Sequence, residues 1–161
     1  MSHIIEIRPE NFPVYAEQIM EIEKVSFPSP WSRGSFKAET EKQISYLWAL
    51  ISDNTVYGYI CFWILEDELQ LLNLAVHPDK RGNHLGQFLL TRMIEKGISK
   101  GIKCVFLEVR TSNITARSLY KKMGFYEAGI RSRYYPETSE DAIIMSLDLS
   151  SYRINEPLQI L

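Results

Sequence analysis

Two cysteines in 161 residues, Cys61 and Cys104, are too few for a disulfide framework. Both lie in apolar, strand-like runs, and neither CxxC nor a Cys/His ligand spacing occurs. They read as buried, reduced thiols of a cytosolic chain. Neither is flanked by a histidine or another base, which argues against a nucleophilic cysteine and a covalent enzyme intermediate. The three histidines, His3, His77 and His84, do not form a ligand set, so no metal is expected. Charge of one sign is also missing. The net charge of −2 offers no general attraction to nucleic acid or to anionic membranes, although a basic patch on one face stays open. No apolar run approaches the roughly 20 residues that a membrane span needs. The first residues, MSHIIEIRPE, lack the basic-then-apolar order of a signal peptide. A cytoplasmic location, with no nucleic-acid or membrane partner, is the expectation.

What remains is an ordinary globular profile. Hydrophobic residues make up 45% and charged residues 24%, which supports one domain with a real core. Ile4–Ile7 is short and β-like. Asn11–Lys24 has apolar residues at helical spacing. SFPSPWS (26–32) is a turn, because its prolines break any helix, and Ser32 is placed to cap a second helix through Glu41. Ser45–Ile51 and Val56–Leu65 read as strands joined by SDNT, and Leu69–Val76 as a third strand of the same meander. Leu85–Lys100 carries a helical apolar stripe that Gly101 ends. Lys103–Val109 is nearly continuous and apolar, as for a buried and possibly parallel strand. Asn113–Met123 is a further helix, and Phe125–Arg131 and Ala142–Leu147 supply the last strands. The pattern predicts an α/β or α+β mixed sheet in one domain over residues 1–150, with an irregular tail at 151–161.

The segment HPDKRGNHLGQFLL (77–90) joins a strand to a helix through a glycine-containing turn. Helix-start amides have no intrahelical partners and lie at the positive end of the dipole, so an anion is welcome there. Arg81 adds a positive fork. Neither GxxxxGK[ST] nor GxGxxG is present, which excludes the common nucleotide loops. From physics alone, an anion site and an ordinary strand–helix turn are about equally supported.

The segment resembles the acetyl-CoA loop of the GCN5-related N-acetyltransferases (GNAT), whose pattern is Gln/Arg-x-x-Gly-x-Gly/Ala. Arg81 fits the first position and Gly86 the last, while His84 stands where the middle glycine usually is. LLNLAV, LEVRTSNITARSLYKKMGF and RYYPETSEDAIIMSL, together with SFPSPWSRGSF, are similar to the bacterial ribosomal-protein-alanine N-acetyltransferases of the RimI type. The resemblance covers roughly residues 5–148. It implies the GNAT acyl-CoA fold: a central, mostly antiparallel sheet with one splayed parallel pair, flanked by helices.

It also implies site residues. Backbone amides of Arg81, Gly82, Asn83, His84, Leu85, Gly86 and Gln87 would hold the CoA pyrophosphate, and the backbone of Leu74, Ala75 and Val76 would bind pantetheine and polarise the thioester. His84 is compatible with this if its φ stays negative or its imidazole points outward. Asn113 resembles the CoA-binding asparagine, and is also a good N-cap. Glu108 shares a strand face with Cys104 and Phe106. On its own it reads more readily as a solvated strand-end charge; the likeness to the family's LEVR favours a general base. Tyr120, twelve residues further on, matches the tyrosine expected to protonate the leaving thiolate, or else packs between helix and sheet. Phe27, Trp31, Tyr134 and Tyr135 would line the acceptor side, or stand as ordinary loop aromatics. The implied reaction is direct transfer from acetyl-CoA, without a metal, to the N-terminal α-amine of a protein, specifically the alanine of ribosomal protein S18, by a monomer or weak dimer. Two alternatives stay open: another acceptor, such as a small amine or a lysine, and a non-catalytic acyl-CoA-binding module.

Overall fold

A computed structural model describes residues 1–150 and Tyr152. The rest of the expected tail, residues 151 and 153–161, lies outside the described residues. The order of elements is β1 (His3–Glu6), α1 (Phe12–Ser26), α2 (Arg33–Glu41), β2 (Ser45–Ser52), β3 (Thr55–Leu65), β4 (Glu68–Val76), a 3-10 turn (Pro78–Lys80), α3 (Leu85–Ser99), β5 (Cys104–Arg110), α4 (Ile114–Lys122), β6 (Tyr126–Tyr135) and β7 (Glu140–Asp148). Among the described residues, seven strands form one sheet in the order β1-β2-β3-β4-β5-β7-β6. Every neighbouring pair is antiparallel except β4 and β5, which run parallel. A parallel pair needs a crossover, and α3 supplies it.

Local chemistry accounts for most boundaries. The Ser32 side chain accepts from the Ser35 amide at 3.1 Å and starts α2, and the Asn113 side chain accepts from the Ala116 amide at 3.2 Å and starts α4. The β2–β3 loop is tighter than the SDNT reading. Ser52 pairs with Thr55, and Asp53 and Asn54 turn the chain with φ of 50° and 62°, as a two-residue type I′ turn requires. The last two strands are longer than periodicity suggested. Their turn is 136–139, so Arg133, Tyr134 and Tyr135 belong to β6, where a register shift between Arg131 and Tyr135 interrupts the alternation.

The sheet is covered on both faces. Tyr59, Cys61 and Ala75 face α1 and α2, packing with Phe12, Ile19 and Phe36. Ile60, Phe62, Leu69 and Leu107 face α3 and α4, packing with Leu89, Met93 and Tyr120. Successive strand residues point to opposite faces, which is why near-continuous apolar strands serve both layers. Truncating a fully buried residue such as Leu89 to alanine costs about 2–5 kcal/mol. No helix among the described residues is long and apolar enough to cross a membrane.

Two irregularities open the sheet. The β4–β5 ladder runs from Glu68↔Cys104 to Leu71↔Leu107 and stops there, although β4 continues to Val76 and β5 to Arg110. A bulge lies at the same level. Cys61 pairs with Asn73 but Phe62 with Leu71, so Leu72 is an extra residue on β4. A bulge bends its strand and increases the local twist, which turns β4 away from β5.

Candidate active site

The split between β4 and β5 holds two adjoining cavities. One, of about 530 Å³, is lined by the end of β4, the turn from Lys80 to Gln87, the C-terminal turn of α1 and one face of α4. The other, of about 170 Å³, lies deeper and is lined by Glu23, Phe27, Trp31, the β4 bulge, Glu108 and Tyr135. Phe27, Leu74, Asn113, Ala116 and Tyr120 line both cavities.

The larger cavity is defined mainly by backbone. The amides of His84, Leu85, Gly86 and Gln87 precede the first intrahelical bond of α3, which runs from the Phe88 amide to the His84 carbonyl at 3.0 Å. Gly82 takes φ of 83°, a left-handed conformation that glycine adopts without steric cost. His84 takes φ of 61°, so of the two conditions the negative φ is not met and the exposed side chain meets the other. The histidine adopts the left-handed conformation itself, at a cost of about 1–2 kcal/mol, and its side chain is exposed. The turn therefore keeps its shape with a side chain at this position.

The flanking side chains support the turn. Arg81 braces the turn: its Nε donates to the Val76 carbonyl at 3.1 Å and its Nη2 to Ser26 Oγ at 3.1 Å. Asn83 stands outside the cavity lining and donates to the Lys80 carbonyl at 3.0 Å. Lys80, Thr115 and Lys122 also line the cavity, which motif matching missed because the fold gathers them from separate segments.

Leu74, Ala75 and Val76 form the cavity wall, and beyond Leu71 the β5-facing edge of β4 has no strand partner among the described residues. Unpaired strand groups can hydrogen-bond a ligand. Gly58 on β3 permits this arrangement. A Cβ there would sit 2.9 Å from the Ala75 carbonyl oxygen. Nothing in the local sequence marked Gly58, because that approach is made across strands.

Glu108 lines the deeper cavity, and Tyr120 lines both. Glu108 is half-buried and is not a free carboxylate: Arg131 Nη1 donates to its Oε1 at 2.6 Å, and the Arg131 guanidinium lies 4.2 Å from the Tyr134 ring centroid. Tyr134 is thus stacked on the Glu108–Arg131 pair and stands outside the lining of both cavities. Burial and the neighbouring Glu108 raise its phenol above the usual value. Tyr120 is buried, and burial pushes its phenol well above the ordinary value of 10.0, so the hydroxyl stays protonated. Its ring also packs 5.7 Å from that of Phe125, so it fills the core as well. Asn113 combines its capping role with a place in both linings.

On the acceptor side, Phe27, Trp31 and Tyr135 line the deeper cavity. Tyr135 is held from below by Arg110, whose guanidinium lies 3.8 Å from its ring centroid, pairs with Glu137 and reaches Glu140 at 3.3 Å. That network latches the β6–β7 hairpin to β5. Glu23, deeply buried on α1, also faces this cavity. Nothing in the sequence singled it out. Cys61 is buried, and desolvation pushes its thiol up to about 12, so it is no nucleophile at neutral pH.

A sheet of this strand order, split between β4 and β5 with a helix N-terminus at one end of the split, matches the frame that the sequence resemblance implies for an acyl-CoA-dependent acyltransferase. The comparisons with known proteins narrow that class. The chain belongs to the acetyltransferase (GNAT) family, whose model matches residues 16–125. It is an N-acetyltransferase, and acetyl-CoA is the donor that its family uses. It is 39% identical over 150 residues to the [ribosomal protein bS18]-alanine N-acetyltransferase of Haemophilus influenzae, covering 91% of this chain and 98% of the relative. Identity to the Escherichia coli K12 enzyme of the same name is 37% over 132 residues, 80% of this chain and 88% of the relative. The crystal structure of the Escherichia coli ribosomal-protein-S18-alanine N-acetyltransferase superposes with a TM-score of 0.82 at 32% identity, covering 99% of this chain and all of that one (100%).

Proposed function

We propose that residues 1–150 form one acetyltransferase domain that acetylates the N-terminal α-amine of a protein, the alanine of ribosomal protein S18, with Glu108 as general base and Tyr120 as general acid. One observation carries the reading. A protonated phenol stands at the junction of two cavities, one walled by free helix amides and the other by aromatics and a carboxylate. The relatives' acceptor fits the deeper cavity, whose aromatic and carboxylate lining suits a peptide end carrying an amine.

Acetyl-CoA supplies the acetyl group as a thioester, an acyl carrier with a moderately good leaving group. The four free amides at the start of α3 would face its pyrophosphate, and Lys80 and Lys122 add positive charge. The open edge of β4 offers backbone donors for the carbonyl oxygen. Glu108 removes a proton from the amine, whose ordinary pKa of about 7.7–8.0 makes that a modest task. Arg131 holds the Glu108 carboxylate in one orientation. Tyr120 donates its proton to the departing sulfur. The relatives' action on a ribosomal protein supports work in the cytoplasm.

An acceptor screen tests the reading. Thiol release from acetyl-CoA should be fastest with a hexapeptide matching the N-terminus of ribosomal protein S18. Turnover on a polyamine or a lysine peptide, but not on that hexapeptide, overturns the acceptor assignment.

A further inference from the structure

Glu23 is buried, and its carboxylate joins three separate parts of the chain. Tyr59 Oη on β3 donates to Oε1 at 2.6 Å. Asn73 Nδ2, on β4 beside the bulge, donates to the same oxygen at 2.7 Å. The Trp31 amide, in the loop between α1 and α2, donates to Oε2 at 2.9 Å. All three donors are neutral, and among the described residues no lysine, arginine or histidine bonds this carboxylate. Burial, and after it the neighbouring Glu23 charge, raise the Tyr59 phenol, which keeps that hydroxyl a donor.

Burying a carboxylate without a cation costs several kcal/mol, and an apolar side chain would avoid that cost. The geometry shows what the carboxylate does in exchange. Donors approach both oxygens, so both positions must accept. Glutamine has one acceptor, and its amide would set N–H against either Trp31 N–H or the Tyr59 and Asn73 donors. As the three donors are placed, a carboxylate accepts from all of them at once, whereas glutamine does so only if its partners reorient.

The elements joined are the two walls of the deeper cavity. Trp31 belongs to the acceptor wall, and Asn73 adjoins the bulge that turns β4 outward. One turn further along α1, Ser26 Oγ accepts from Arg81 and ties in the CoA turn. We propose that Glu23 is a positioning residue: it fixes the spacing between the acceptor loop and the thioester-facing strand, and so sets acceptor affinity. This rests on the acceptor cavity assigned above.

The test is steady-state kinetics with acetyl-CoA and the S18 hexapeptide. Glu23→Gln should raise the acceptor KM about tenfold, the effect of one lost hydrogen bond to a charged group, while CoA Kd stays within about twofold. Tyr59→Phe leaves the carboxylate and removes one donor, so it should raise the same KM by a smaller factor. It serves as the reading if Glu23→Gln does not fold. Leu147→Ala, a core truncation in β7, controls for lost stability and should leave the acceptor KM unchanged. An unchanged acceptor KM in the folded variants overturns the proposal, as does an equal rise with Leu147→Ala or an equal weakening of CoA binding. A wild-type chain inactive on the hexapeptide defeats the acceptor assignment instead, whatever Glu23 does.

Discussion

The two ends of the β4–β5 split recognise their ligands by different means. The CoA end is built from main chain: helix-start amides, a strand edge, and a turn whose side chains brace it from outside. The acceptor end is built from side chains: Glu23 with its three donors, Glu108 with Arg131, and Arg110 with Tyr135 and two glutamates. The first arrangement tolerates substitution wherever the backbone path survives, as His84 shows at φ of 61°. In the second, a change of one functional group removes a bond that no neighbour can supply. The CoA end should therefore respond to changes of backbone, and the acceptor end to changes of chemistry.

The sharpest contrast is expected at Glu108. Glu108→Gln keeps the shape but removes the base, so kcat should fall about 10²–10⁴-fold while CoA Kd hardly changes. An unchanged kcat would remove Glu108 from the mechanism. At the other end, Gly86→Pro deletes one free amide within the first turn of α3, where a proline breaks no intrahelical bond. CoA affinity should drop about tenfold, the effect of one charge-assisted hydrogen bond. Gly86→Ala keeps the amide and places Cβ 3.4 Å from Leu119, so titration of CoA should find it nearly neutral. If the alanine variant loses as much as the proline variant, the backbone account of this end fails.

Gly58→Ala comes next. Its Cβ would meet the Ala75 carbonyl at 2.9 Å, which forces strand movement and should cost about 1–3 kcal/mol in thermal unfolding, with weaker CoA binding. His84→Gly is the mildest change. It relieves a left-handed side chain but gains unfolded-state entropy, so stability should rise by about 0.5–1 kcal/mol with CoA Kd within about threefold. The last expectation is an absence. Burial raises the Tyr120 pKa above 10.0, so its proton is retained to higher pH than in a free phenol. The pH–kcat profile should show no alkaline fall near pH 10, and a fall there that Tyr120→Phe abolishes would show an ordinary phenol.

Much of this was legible in the chain. Ser32 and Asn113 announced their caps, SDNT its hairpin and KCVFLEV a buried strand, because such signals depend on neighbours a few residues away. The side chains of Arg81 and Asn83 brace the turn from outside its amides, a role that the motif does not state because it names residues and not where their side-chain donors point. Glu23, Gly58 and Arg131 carried no signal. Their partners lie 50, 17 and 23 positions away at Asn73, Ala75 and Glu108, and only the folded sheet brings them together.

By itself the sequence determined the elements, the family motif of the turn and the residue types available for proton transfer, because these rest on local periodicity and short spacings. The tertiary structure decided where β4 leaves β5, that His84 adopts the left-handed region, and that a buried carboxylate joins the two walls of the acceptor cavity. Those features arise where strands and helices distant in the chain compete for the same space and the same hydrogen bonds.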